Sequence, residues 1–285
     1  MRTSVIAAAA GTLALTLGLT ACGGGPDRGS DDGRLVVGAT PTPAGEVLAY
    51  IQDNLAKKAG LDLEIKEFTD YVTPNTALQE GSLDANLYQH APYLKDFNAS
   101  KKTDLVPVAE AYLPPMGVYV KKAGDAKAAK DIGKLRTGAT VAVPNDTTNE
   151  GRALQLLAAK GVIGLKKGVG GTATPEDVTS NPKKLTIKPL DPAQLPRSLD
   201  DLDAAVINNN YALDAGLSPK KDAILLESPK GNPYNNVLVV KKGDEDDPRV
   251  KKLAKLLTSP EVKRFIENKY KGSVLPVEEA AREGN

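Results

Sequence analysis

The sequence contains one cysteine and one histidine, and this scarcity excludes several kinds of protein. Among its 285 residues, only Cys22 and His90 belong to these types. A single cysteine cannot form an intrachain disulfide. The usual zinc ligand sets of His and Cys cannot be assembled, and a Ser-His-Asp relay would need His90 without any G-x-S-x-G motif. We therefore expect no metal, no cofactor and no enzymatic activity.

The sequence also has no excess of positive or negative charge. The chain carries 37 Lys and Arg against 36 Asp and Glu. A nucleic-acid partner would require a basic face, which this balance does not support. The glycine-rich segment 168–175 lacks the G-K-[ST] of a phosphate-binding loop. The acidic segment 243–248 lacks the register of an EF-hand.

Only one long apolar run is present, and it lies at the N-terminus. Arg2 is followed by SVIAAAAGTLALTLGL and then by Leu-Thr-Ala-Cys, which ends at Cys22. This order is typical of a secretory signal, and its end resembles a bacterial lipobox. A membrane-spanning helix is the alternative, although about 20 apolar residues are needed. We predict a signal peptide at 1–21, lipidation of Cys22, a flexible tether at 22–33, and an extracytoplasmic protein anchored to the cell membrane by lipid.

Strand and helix patterns alternate through the remaining 250 or so residues. Residues 34–39 are a short apolar run, 44–60 have apolar residues at helical spacing, and 61–68 alternate apolar with charged residues. The pattern restarts with a strand at 139–146 and a helix at 148–163. Such alternation predicts an α/β fold with largely parallel sheets.

The two starts of this pattern predict two α/β lobes. The runs MGVYVKK and NNVLVVKK are candidates for the strands where the chain crosses between them. Two crossings would make each lobe a hinged half around a cleft. We place lobe 1 at 34–118 plus 239–285, and lobe 2 at 119–238.

Aromatic residues are few, and they are concentrated. The chain has nine Tyr, three Phe and no Trp. Five of these twelve rings lie within thirty residues around His90: Phe68, Tyr71, Tyr88, Tyr93 and Phe97. Taken alone, a lone histidine and a tyrosine cluster are more often packing residues than a binding site.

Longer motifs around these rings resemble the lipid-anchored methionine-binding proteins of bacterial ABC importers. The resemblance extends over almost all of the predicted body. The motifs that carry it, in chain order, are FTDYVTPNTALQEGSLDANLYQHAPYL, YLPPMGVYVKK, VAVPNDTTNEGRALQLL, NPKKLTIKPLDPAQLPRSLDDLDAAVINNNYALDAGL, YNNVLVV and VKRFI.

The resemblance implies a two-lobed, periplasmic-binding-protein-like fold of type II, with two crossover strands and a ligand cleft between the lobes. It implies a solute-binding lipoprotein that captures L-methionine and delivers it to a membrane permease driven by a cytoplasmic ATPase. We expect a monomer that acts without covalent chemistry. Alternative ligands are D-methionine, a methionine-containing dipeptide or another apolar amino acid. A surface lipoprotein without a transport role is a further alternative.

Four residues match family positions that line the thioether side of the pocket: Tyr71, Tyr88, His90 and Tyr93. A thioether sulfur gains roughly 0.3–1.5 kcal/mol from an aromatic edge. Buried rings also supply apolar walls. The resemblance therefore assigns the methionine side chain to these residues.

The remaining family positions would hold the charged end of the ligand. Arg152 matches the arginine that binds the carboxylate, and a guanidinium fork suits that group. Asn149 lies three residues earlier, on the same predicted helix face. Asn208 and Asn236 match asparagines that hold the α-amino and carboxylate groups. The neighbouring Asn209 and Asn210 are interpreted as turn residues.

Two positions depart from the family pattern. Tyr88 stands where phenylalanine is usual, and its hydroxyl needs a partner if it is buried. Ala44 stands where many relatives have histidine, at the start of the first helix. We expect this second change to affect the cleft rim or the surface that faces the permease.

Overall fold

Two β-sheets organise the chain, and helices cover both faces of each sheet. This computed structural model describes residues 33–120 and 131–277. The predicted signal peptide, Cys22 and the tether except Gly33 lie outside the described residues.

The first sheet has six strands in the order β13-β4-β12-β3-β1-β2. Strands β1, β2 and β3 are parallel, whereas β12 is antiparallel to β3 and β4, and β13 is antiparallel to β4. Their bounds are β1 Arg34–Ala39, β2 Asp62–Glu67, β3 Ala85–His90, β4 Val106–Leu113, β12 Asn236–Val240 and β13 Leu275–Pro276.

The second sheet has five strands in the order β11-β5-β10-β6-β9. Strands β10, β6 and β9 are parallel, and β5 is antiparallel to both β10 and β11. A separate antiparallel pair consists of β7 and β8. The bounds are β5 Gly117–Val120, β6 Thr140–Pro144, β7 Gly164–Leu165, β8 Val178–Ser180, β9 Thr186–Leu190, β10 Ala204–Ile207 and β11 Leu225–Leu226.

The α-helices connect these strands. They are α1 Glu46–Ile51, α2 Thr73–Glu80, α3 Ala91–Lys101, α4 Thr147–Ala159, α5 Leu195–Ser198, α6 Asn209–Asp214, α7 Pro219–Asp222, α8 Pro248–Leu257 and α9 Pro260–Tyr270. A kinked turn, Pro41–Gly45, in which Thr42 has an extended backbone, precedes α1, and a π-helical turn, Gln52–Ala56, follows it. Short 3-10 turns are Ile132–Lys134, Gly170–Thr172, Pro175–Asp177 and Pro192–Gln194.

The first sheet and its helices form a first lobe with an apolar layer on each side. On one face, α1, α8 and α9 contribute side chains such as Leu48, Leu253 and Ile266 to a buried cluster. On the other face, Leu78 of α2 and Phe97 of α3 pack against the sheet. Because β3 lies between two neighbours and under both layers, all six of its residues are buried.

The second sheet forms a second lobe in the same way. Helix α4 covers one face, where Leu154 and Leu157 are fully buried. Leu195, at the start of α5, and Tyr211 of α6 cover the other face. The prediction of two α/β lobes from the restarting strand–helix pattern is confirmed.

The chain passes between the two sheets twice. It leaves the first sheet after β4 and enters β5 of the second sheet through residues 114–116. It returns between β11 and β12 through residues 227–235. Both entering strands, β5 and β12, are antiparallel to their neighbours. The lobe limits given above, at 118/119 and 238/239, stay predictions.

The ends of the parallel strands face the gap between the lobes. His90 is the last residue of β3, Asp146 follows β6 by two residues, and Asn208 follows β10 directly. In open α/β sheets, ligands bind beyond the carboxyl ends of the strands. The topology therefore brings polar residues that are distant in sequence to one place.

Gly151 allows α4 to approach the turn Gly170–Thr172 closely. A Cβ at position 151 would lie only 2.2 Å from the carbonyl oxygen of Gly171. In contrast, a Cβ on Gly171 would meet only the Tyr234 hydroxyl, at 3.4 Å. Helix propensity alone would favour alanine at position 151. The close packing against Gly171 therefore explains the glycine.

We predict that Gly151→Ala lowers the free energy of unfolding by about 2 kcal/mol, as overpacking typically does. Urea unfolding measures this change, with Gly171→Ala as the control that has room for its methyl group. A stabilised Gly151→Ala variant would contradict the packing argument.

Candidate functional site

A cavity lies between the two lobes and is lined by residues from both. It encloses about 390 Å³ of empty space, part of which is open to solvent. The lining residues are Pro43, Tyr71, Tyr88, Gln89, His90, Tyr93, Pro114, Asn149, Arg152, Asn208, Asn209, Asn210 and Asn236. All eight residues that the sequence assigned to ligand binding are in this set.

Three tyrosines of the first lobe form an aromatic wall. The Tyr71 ring centroid lies 6.0 Å from that of Tyr88 and 5.9 Å from that of Tyr93. From the second lobe, Tyr211 lies 5.0 Å from Tyr71. Edge and tilted contacts of this kind stabilise a ring cluster beyond simple burial. The wall is therefore a packed unit that extends across the gap.

The hydroxyls of Tyr88 and Tyr93 converge on one backbone oxygen. Both donate to the carbonyl of Tyr71, at 2.7 and 2.8 Å. Burial raises the pKa of both phenols, so the hydroxyls stay protonated and act as donors. The Tyr88 hydroxyl is thus satisfied by the main chain.

The hydrogen bonds of His90 define its tautomer. Its Nδ1 accepts from the backbone N–H of Tyr93 at 3.1 Å and so caps the N-terminus of α3. The proton is consequently on Nε2, which donates to Asn149 Oδ1 at 3.2 Å. Burial, reinforced by the positive charge of Arg152, lowers the pKa of His90 to about 3. The imidazole is therefore neutral.

Asn149 connects the lobes through both ends of its amide. Its Oδ1 accepts from His90 of the first lobe and from Asn208 Nδ2 of the second lobe, the latter at 2.9 Å. Its Nδ2 donates to the carboxylate of Asp146, which caps α4. Burial raises the pKa of Asp146, and the N–H groups of Asn149 partly offset this rise.

Arg152 is buried beside the cavity with only 3% of its surface exposed. Its Nε and Nη2 donate to the two carboxylate oxygens of Glu227, at 2.9 and 2.5 Å. Nη2 also donates to the Pro114 carbonyl at 3.1 Å. The ring of Tyr234 lies 4.2 Å from the guanidinium carbon. The edge of the guanidinium formed by Nε and Nη2 is thus already occupied by Glu227.

Three asparagine amides keep an unpartnered atom at the cavity within the described part of the chain. Asn208 Oδ1, Asn209 Oδ1 and Asn210 Nδ2 are buried and have no hydrogen-bond partner there. Asn210 Oδ1 accepts from the Tyr71 hydroxyl at 2.5 Å. Asn236 Nδ2 donates to the Tyr88 carbonyl at 2.8 Å. An unpaired buried polar atom is costly, so these three atoms are suited to a polar ligand.

Hydrogen bonds across the gap hold the lobes together. Besides His90 with Asn149, Tyr71 donates to Asn210, and the Tyr211 hydroxyl donates to the Thr69 carbonyl at 3.0 Å. The described structure is therefore a closed arrangement of the lobes.

The sequence reasoning missed five lining residues: Pro43, Gln89, Pro114, Asn209 and Asn210. Asn209 and Asn210 were interpreted as turn residues, yet both are buried, and both start α6. Three asparagines in a row directly after an apolar strand were the signal that could have revealed them. Gln89 exchanges hydrogen bonds with the buried Asn75 and Asn86, which brace β3 against α2.

Ala44 does not lie on the surface. It is fully buried in the apolar cluster of the first lobe, under α1. The expected effect of this position on the cleft rim or the permease-facing surface stays a prediction, and the adjoining Pro43 lines the cavity. Its methyl group is part of the core.

The described residues lack two further kinds of site. Residues 33–120 and 131–277 contain no group of three or more His, Cys, Asp or Glu placed to hold a metal ion. Within the same ranges, no helix has the length and apolar character needed to cross a membrane.

Comparisons with known proteins agree with the motif resemblance. The family model described as NlpA lipoprotein matches residues 35–278. The Probable D-methionine-binding lipoprotein MetQ of Vibrio cholerae is 39% identical over 270 residues, which cover 95% of each chain. The Methionine-binding lipoprotein MetQ of Bacillus subtilis is 39% identical over 266 residues, 92% of this chain and 94% of that one.

A solved structure extends the likeness to three dimensions. The nutrient binding protein from Burkholderia cenocepacia bound to methionine is 48% identical and has a TM-score of 0.80, covering 86% of this chain and 100% of that one. The likeness thus includes both lobes. The predicted two-lobed, periplasmic-binding-protein-like fold class is confirmed.

We predict that Tyr88→Phe lowers the free energy of unfolding by about 1 kcal/mol, the usual net value of one hydrogen bond. The aromatic wall is retained, and the Tyr71 carbonyl still accepts from Tyr93. Urea unfolding checks this value, and Tyr93→Phe, which removes the matching hydroxyl, should show a similar loss. A loss of several kcal/mol would indicate that the hydroxyl of Tyr88 has another role.

We predict that His90 destabilises the folded state in mild acid. Below its ordinary pKa of 6.5, the unfolded chain gains a proton on His90 that the folded chain does not take up until about pH 3. The free energy of unfolding therefore falls as the pH decreases from 6.5, by about 2 kcal/mol at pH 5 from this group alone.

Urea unfolding of the wild type and His90→Asn between pH 7 and pH 5 isolates this contribution. Asparagine retains an acceptor for the Tyr93 N–H and does not titrate. Burial raises the pKa of Asp214 to about 6, but this group is common to both proteins and cancels in the difference. Parallel pH profiles for the two proteins would contradict the prediction.

Proposed function

We propose, from the premise that the chain belongs to the NlpA lipoprotein family, that it is the solute-binding lipoprotein of an ABC importer and encloses methionine between its lobes. L-Methionine is our leading ligand. The observation that carries the proposal is one cavity with a tyrosine wall from the first lobe and a buried arginine from the second.

The tyrosine wall suits the methionine side chain. Tyr71, Tyr88 and Tyr93 present ring edges and faces, and His90 is a neutral imidazole. A thioether gains from aromatic edges and needs no strong hydrogen-bond donor. We assign the side chain of the ligand to these four residues.

The second lobe suits the charged end of a free amino acid. Nη1 of Arg152 makes no hydrogen bond to any described residue, so its two N–H groups are available for the α-carboxylate. Asn208 Oδ1 is a buried acceptor suited to the α-ammonium group. Asn149 and Asn236 hold Asn208 and the Tyr88 main chain in position and complete the proposed set.

The ligand is proposed to be a single amino acid. The lining offers one aromatic wall for a side chain and one buried arginine for a carboxylate, which together match one amino acid. A methionine-containing dipeptide is the alternative that calorimetry tests. Relatives are named for both methionine and D-methionine binding, so enantiomer preference requires a direct test.

Transport would proceed without covalent chemistry. A ligand that contacts both lobes binds the closed form more tightly than the open form and so shifts the population toward closure. We propose that Cys22 carries the lipid that holds the protein at the extracytoplasmic face of the membrane. The closed monomer would then deliver its ligand to the permease, which a cytoplasmic ATPase drives.

Mass spectrometry of the ligand released from freshly purified protein tests the substrate directly. Calorimetry then compares L-methionine, D-methionine, a methionine dipeptide and leucine, using protein unfolded and refolded to remove bound ligand. We expect methionine in the released fraction and heat of binding with L-methionine. Absence of binding to either enantiomer would refute the proposal.

We predict that Arg152→Ala weakens L-methionine binding by about 100-fold, because charged hydrogen bonds to the carboxylate are lost. Arg136→Ala is the matched control. Arg136 also pairs with a carboxylate through two hydrogen bonds, but it is outside the cavity lining.

A second pair of variants tests the first lobe. Asn236→Ala should weaken binding by about tenfold, whereas Asn235→Ala should not, because Asn235 bonds to the Glu110 carboxylate on the surface. Calorimetry measures all four variants after circular dichroism has confirmed their folding. Equal affinities for Asn236→Ala and Asn235→Ala would contradict the assigned role.

A further inference from the structure

Glu227 lies behind Arg152, outside the lining of the cavity. It follows β11 directly, and its side chain is 12% exposed. Its carboxylate accepts Nε and Nη2 of Arg152, and Oε2 also accepts the backbone N–H of Met116 at 3.1 Å. The carboxylate is thus fixed from two directions, and it fixes the guanidinium in turn.

This contact decides which face of Arg152 a ligand can reach. A guanidinium has five N–H donors. Two are taken by Glu227 and a third by the Pro114 carbonyl. The two that remain are both on Nη1. A ligand carboxylate therefore meets one nitrogen rather than the fork expected from the sequence.

The negative charge of Glu227 also balances the positive charge of Arg152. Burial acts to raise the pKa of Glu227, but the charge and hydrogen bonds of Arg152 outweigh it, and the pKa lies below its usual value. Glu227 is therefore ionised and compensates the arginine. Tyr234, whose ring lies over Arg152, is a neutral phenol because burial raises its pKa. The Arg152–Glu227 pair therefore carries no net charge.

We propose that Glu227 is a specificity-determining residue, which makes the carboxylate subsite electrically balanced and so selects zwitterionic amino acids over anionic N-acylated ones. This inference rests on the proposed function. A zwitterion has no net charge to bury, and its ammonium group has an acceptor in Asn208 Oδ1. An N-acylated ligand adds an uncompensated negative charge near Glu227, which burial makes costly.

The chain offers a matched control. Asp203 binds Arg136 through two hydrogen bonds, both at 2.8 Å, and accepts the backbone N–H of Thr140. It therefore resembles Glu227 in its contacts. Neither Asp203 nor Arg136 lines the cavity.

The test measures the dissociation constants of L-methionine and N-formyl-L-methionine, whose formyl group is the smallest N-acyl group. Wild type, Glu227→Gln and Asp203→Asn are compared by calorimetry after ligand removal. We expect the preference for L-methionine over the formyl derivative to fall by about tenfold in Glu227→Gln, and to stay unchanged in Asp203→Asn. Because the same two ligands are measured with each protein, any effect of the size of the formyl group cancels when the preferences are compared.

The outcomes separate this inference from the proposed function. If wild type binds no methionine, the proposed function fails and the inference fails with it. If wild type binds methionine but Glu227→Gln weakens both ligands equally, Glu227 only supports Arg152 and the inference alone is overturned.

A second pair of variants decides the matter if Glu227→Gln does not fold. Arg152→Gln leaves the Glu227 charge facing the ligand carboxylate, whereas the double variant Arg152→Gln with Glu227→Gln buries neither charge. We expect the double variant to bind L-methionine about tenfold more tightly than Arg152→Gln. Equal or weaker binding by the double variant would overturn the proposal.

Discussion

The side-chain amide of Asn149 is the hydrogen-bonding centre on which the closed arrangement depends. One oxygen accepts from His90 of the first lobe and from Asn208 of the second, and the amide nitrogen donates to Asp146. Because Asp146 also caps α4, the position of the helix and the contact between lobes are set by the same few atoms. A neutral His90 is required, since its Nδ1 must accept while its Nε2 donates.

Around this centre, the two lobes contribute opposite kinds of surface. The first lobe supplies rings whose hydroxyls are directed to the Tyr71 main chain, which leaves aromatic carbon for the cavity. The second lobe supplies a buried ion pair and amides with unpartnered atoms. An amino acid has the same division between an uncharged side chain and a charged main chain. The two walls of the cavity therefore complement the amino acid that we propose as the ligand.

The sequence predicted local and repeated features well, because they depend on nearby residues. The strand–helix–strand unit at 34–68 and the second start at 139 follow from apolar spacing, and both are present. The eight site residues were gathered through motifs that resemble a known family. Composition and spacing alone had favoured a packing role for Tyr88 and His90, since neither shows which residues meet in space.

The missed features are those that only the folded chain creates. Glu227 belongs to no motif and is 75 residues from Arg152 in sequence. Asn210 was interpreted as a turn residue because asparagine favours turns, yet burial at the cavity decides its environment. The burial of Ala44 was also missed, because its place at the start of the first helix does not reveal that the flanking turn packs against the first lobe.

The position of β12 has a consequence for the order in which the molecule is built. This strand comes from residues 236–240, yet it lies between β4 and β3 in the interior of the first sheet. During synthesis, β4 and β3 are made long before the strand that separates them. The strands of the second sheet, in contrast, form one continuous stretch from β5 to β11. The second lobe can therefore fold first, and the first lobe is completed only when the chain returns to it.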